Sequence, residues 1–98
     1  MKPRWNASVS FLSPYRHGGE TITYGLFEAD TDWIAARQVT IWAAQHRYQE
    51  HGDTGFISMY GRNHFRASIG YRTRRKPEVL VGGTIEITLT PEDANGTR

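Results

Sequence analysis

The sequence predicts a single α+β domain: an antiparallel sheet of four to five strands with one long helix packed across one face, in the order ββαβββ. Apolar and polar residues alternate from Trp5 to Leu12 and again from Thr84 to Thr90, the period of half-buried strands. Between Asp32 and Gly52 the period becomes helical, with no proline and a glycine only at the end. A chain of 98 residues without cysteine has room for one core, which must be held by packing alone. The domain is expected over residues 1–91, with Glu92 to Arg98 as a flexible polar tail.

In order along the chain, Trp5, Ala7, Val9 and Phe11 fall on one side of the first strand and Asn6, Ser8 and Ser10 on the other. Pro14 stops that strand. A turn at Gly18 and Gly19, where positive φ is free of steric cost, leads into a second strand in which Thr21 and Thr23 oppose Ile22, Tyr24 and Leu26. Asp30, Thr31 and Asp32 offer helix-capping oxygens, and Gly52 offers a stop. On that helix Ala35, Ala36, Val39, Trp42 and Ala43 form an apolar arc suited to a sheet, with His46 projecting beside it. A second arc, Trp33, Ile34, Ile41, Ala44 and Tyr48, is left for internal cover, a second contact or a homodimer seam.

The following hairpin is expected to turn at Arg62-Asn63, setting Tyr60 opposite Phe65. That register places Phe56, Ser58 and Tyr60 with Phe65, Ala67, Ile69 and Tyr71, and places Ile57 and Met59 with Arg66, Ser68, Gly70, Arg72 and Arg74. The last strand turns Ile85, Ile87 and Leu89 inward and Thr84, Glu86 and Thr88 outward.

Charge singles out this hairpin. From Thr54 to Pro77 there is no acidic residue, yet Arg62, Arg66, Arg72, Arg74, Arg75 and Lys76, six of the twelve basic side chains, fall there. A net charge of +2 therefore hides a polarised molecule. With 38% apolar residues the composition is that of a folded domain. No apolar run approaches membrane length, and the polar residues Asn6, Ser8 and Ser10 interrupt any signal-like segment, so a cytoplasmic protein with no membrane association is expected.

No catalytic set, metal site or cofactor motif stands out, so the sequence predicts no enzyme and no cofactor. His46 and His51, five apart, would point about 140° apart around a helix and cannot share a metal. His64, crowded by Arg62 and Arg66, is the one histidine placed for phosphodiester chemistry, but no partner base is recognisable.

The expected function is docking on a protein or nucleoprotein partner with an acidic surface. Arg62, Arg66, Arg72, Arg74, Arg75, Lys76 and His64 would form a rim around Ile57 and Met59. In compactness and polarity such a chain resembles the phage-encoded inhibitors, anti-CRISPR proteins included, that block a host machine by occlusion. The alternative is a nucleic-acid binder using the same basic face, against which stands the expected placement of the aromatics on the opposite side. A ribonuclease-like enzyme centred on His64 is the third reading.

Overall fold

The computed structural model describes residues 2–12 and 20–92. The turn expected at Gly18 and Gly19, His17, and residues 93–98 lie outside the described residues. Strands β1 (Arg4–Leu12) and β2 (Glu20–Glu28) precede helix α1 (Asp32–Tyr48). A single 3-10 turn (Gln49–His51) leads on to β3 (Asp53–Gly61), β4 (His64–Tyr71) and β5 (Val81–Pro91). All pairings are antiparallel and the sheet order is β2-β1-β5-β4-β3, so the last strand closes the sheet against the first. This is the predicted ββαβββ architecture, with five strands. No helix among the described residues is long and apolar enough to cross a membrane.

The alternating strands bury the side expected of them. Trp5, Ala7, Val9 and Phe11 of β1, Phe65, Ala67 and Ile69 of β4, and Ile85, Ile87 and Leu89 of β5 form one core with the helix. Each large side chain fully withdrawn from water contributes about 1.5–3 kcal/mol. Ala35, Ala36, Val39, Ala43 and Ala44 bring α1 close to the sheet because none is bulky. Among the described residues Thr40 is the one buried polar residue, and its hydroxyl donates to the Ala36 carbonyl at 2.7 Å. Trp5 likewise satisfies its indole N–H on the Ala29 carbonyl at 3.0 Å.

Helix α1 starts as expected, with Thr31 Oγ1 accepting from the backbone N–H of Ile34 at 3.2 Å. The helical stretch also stops at Gly52 as expected, with the Gly52 N–H donating to the Gln49 carbonyl at 2.9 Å, but the positive φ falls on Gln49 (58°) and Gly52 itself has φ −64°. Gly52 is needed for space: a Cβ there would run into the Ala44 carbonyl.

The two expected helical arcs are also redrawn. Ala44 is buried, while His46 is exposed and stacks on Trp42 with ring centroids 5.2 Å apart. Trp33 leans edge-on against Phe65 at 5.1 Å and Tyr48 packs at a tilt against Tyr71 at 5.7 Å, so both serve the sheet. Of the second arc only Ile34 and Ile41 are partly exposed without such a partner ring.

A bulge in β2 places Gly25 at φ 102° and slips the register against β1 between Ala7 and Ser8. Leu26 consequently pairs with Asn6 on the outer face and is exposed, not inward with Ile22 and Tyr24 as the alternation predicts. At the sheet's far end Glu92, the first residue of the expected tail, donates its N–H to the Arg4 carbonyl at 2.8 Å and pairs its carboxylate with Arg4 at 3.3 Å.

Candidate functional site

The β3–β4 hairpin turns at Arg62-Asn63 as predicted, with Asn63 at φ 57°. One extra residue in β3 then changes the face of everything before it. Gly61 pairs with His64, but Met59 pairs with Phe65, leaving Tyr60 as the bulged residue. Because side chains alternate with period two, this single insertion inverts the expected placement. Ile57 pairs with Ala67 and packs on the core, and Met59 lies beside Phe65, half exposed at 50%. Neither stands among the arginines, and the predicted apolar centre of the docking face is corrected accordingly. A second bulge between Thr54 and Ile57 places Gly55 and Phe56 together near the outer face.

Phe56 and Tyr60, expected inside, are instead 75% and 57% exposed on the side that carries Ser58, His64, Arg66 and Ser68. The guanidinium carbon of Arg66 lies 4.1 Å over the Tyr60 ring, and His64 meets the same ring edge-on at 5.2 Å. Arg66 sits directly across the ladder from Glu86 of β5. Its Nε and Nη2 both reach Glu86 Oε2 at 2.9 Å, while Glu86 Oε1 faces His64 Nε2 at 3.5 Å. Four residues from three strands thus form one contiguous cluster, Tyr60, His64, Arg66 and Glu86.

The remaining predicted contacts separate into two kinds. Arg72 is a clamp: its Nε binds Asp53 Oδ2 at 2.7 Å and its Nη1 the Pro77 carbonyl at 3.1 Å, pinning the loop after β4 to the start of β3. That bond, more than the N–H of Thr54, holds the Asp53 carboxyl below its ordinary value of 3.8. Arg62, Arg74, Arg75 and Lys76 are exposed and make no ion pair among the described residues. They remain available to an anionic ligand.

Around the cluster the outer face is polar, with Thr21, Thr23, Thr88 and Thr90 exposed and Ser8, Ser10 and Ser68 half-buried. Toward the Arg72 end it dips into an open recess of about 350 Å³ bounded by Phe56, Leu80, Ser68 and Thr84. Three glycines, Gly55, Gly82 and Gly83, also line it. Gly82 faces Gly70 so closely that a Cβ on either would strike the carbonyl oxygen of Ile69 or Val81 across the ladder. Among the described residues no group of three or more His, Asp or Glu side chains is arranged to hold a metal.

Glu86, Tyr60 and Phe56 are the site residues that the sequence did not single out, the two aromatics because the bulges turn them outward; for Glu86 the case is different. Its outward position follows from alternation, but its meeting with Arg66 and His64 depends on the register of β5 against β4. Comparison with protein-family models, with curated proteins and with solved structures finds no match to this chain.

Proposed function

We propose that the protein binds single-stranded nucleic acid across the open face of its sheet. The observation that carries this is the stacking of Arg66 on Tyr60, with Phe56 exposed on the same side. Aromatic rings together with guanidinium planes on one open sheet surface suit unstacked bases, each base–aromatic contact contributing about 1–3 kcal/mol. Arg62 at one end of the face and Arg74, Arg75 and Lys76 in the loop after β4 supply charge for the phosphates. The recess beside Phe56, with the Ser68 and Thr84 hydroxyls at its rim, has room for an extruded base. Fluorescence anisotropy with short labelled RNA and DNA tests the reading. If all four free cations reach phosphates, affinity falls with salt at a log–log slope of about −3.

A second reading is favoured by β3 itself. It is an outer strand of the sheet, has no charged side chain between Asp53 and Arg62, and exposes Phe56, Met59 and Tyr60. Such an edge can add a strand from a protein or nucleoprotein partner, the mode of an occluding inhibitor. Met59→Asp separates the two, because Met59 lies off the Tyr60 face. Nucleic-acid affinity stays unchanged in that variant under the first reading, whereas docking along β3 is lost under the second.

A further inference from the structure

We infer that Glu86, His64 and Arg66 make this face a site of RNA cleavage, by transfer of the phosphodiester to the neighbouring 2′-hydroxyl. The inference rests on the nucleic-acid reading of the same face and adds a reaction to it. A surface that only gathers phosphates is weakened by a carboxylate at its centre, yet Glu86 sits there, on the strand next to the arginine, with its side chain 23% accessible. Arg66 spends two N–H donors on Oε2 and leaves Oε1 turned toward His64. The carboxylate is therefore oriented by one cation, and its second oxygen is paired with a proton carrier.

That is the equipment for general acid–base transphosphorylation. Glu86 Oε1 takes the proton of the ribose 2′-hydroxyl as O2′ forms a bond to phosphorus. The bond from phosphorus to the 5′ oxygen breaks, and that oxygen takes a proton from the His64 imidazolium at Nε2. The products are a 2′,3′-cyclic phosphate and a 5′-hydroxyl, and no water or redox partner enters the step. The 3.5 Å contact between Oε1 and Nε2 opens as the phosphate enters, by rotation of the His64 side chain, which is 34% accessible. When the product leaves, the contact closes, and the proton on Glu86 returns to His64, restoring both groups. Arg66 keeps N–H donors beyond those given to Glu86, and these meet the charge that develops on the phosphoryl oxygens. Tyr60, held between Arg66 and His64, is a positioning residue that stacks the adjoining base.

The test compares an RNA with its 2′-O-methyl counterpart of the same sequence, using the full chain, His64→Asn and Glu86→Gln. Both oligonucleotides bind the unaltered protein, but only the RNA is cut, and mass spectrometry finds the cyclic phosphate end. Each variant cuts at least about 100-fold more slowly. Binding of the 2′-O-methyl strand is measured for each variant, so that a loss of cutting is read apart from a loss of binding. His64→Asn leaves the Arg66–Glu86 pair in place and keeps the parent's melting temperature, which guards against a trivial loss of fold. Intact RNA under conditions where the 2′-O-methyl strand is bound overturns cleavage and leaves binding standing. Cleavage that persists in both variants also overturns it, as a contaminant's. Failure to bind either strand removes both readings.

Discussion

Single side chains decide which cations face a ligand and which hold the fold. Arg66 and Arg72 both carry guanidinium groups on β4 or just beyond it, yet Arg72 is consumed by Asp53 and the Pro77 carbonyl while Arg66 is shared between Glu86 and the Tyr60 ring. The Asp53 pair makes a pH prediction. With its folded value held below the ordinary 3.8, Asp53 adds stability above that pH, and the contribution disappears as pH falls through the lower folded value. The pair is solvent-exposed, so the effect is small. Urea midpoints of the parent and Asp53→Asn are expected to differ at about pH 5 and to draw together as the pH is taken below 3.8. A difference unchanged with pH would mean that Asn costs stability by some route other than charge.

Elements set the register, and here three bulges do more than any single contact. Gly25 stands at φ 102° with open space around it, so Gly25→Ala meets no clash and is penalised only by its backbone. The expected loss is about 1–3 kcal/mol in chemical denaturation; an unaltered midpoint would show that β1 and β2 can pair without the bulge. Strands β1, β4 and β5 were legible because each has one apolar and one polar side. Strand β3 was not, since Phe56 and Tyr60 alternate with Ile57 and Met59, and apolar residues on both sides leave period-two reasoning nothing to choose between. The extra residue at Tyr60 settles which pair lies under the helix. The turn itself was legible from Asn63, a residue that tolerates positive φ, and the helix start from Thr31. The stop at Gly52 was legible too, although the glycine serves close packing there and not a positive φ.

At the scale of the molecule, the helix covers one side of the sheet, and the other side carries the candidate site. Sequence located the basic segment and the polarity of the chain. It could not show that Glu86 and Asp53, distant in sequence, would cross the sheet to Arg66 and Arg72, because such pairings are made by topology. The net result is an open face whose centre is nearly balanced in charge, with aromatics exposed on it and free cations at its margins. On the proposed nucleic-acid reading, such a surface would recognise bases by stacking as much as phosphates by charge. The most direct measurement is the affinity of labelled single-stranded RNA for the parent protein, Tyr60→Ala and Phe56→Ala, each over a range of salt. Binding that weakens with salt, with each truncation costing about 1–3 kcal/mol while the folded state is retained, is the predicted result. Absence of binding at low salt, or truncated proteins that bind as the parent does, would contradict it.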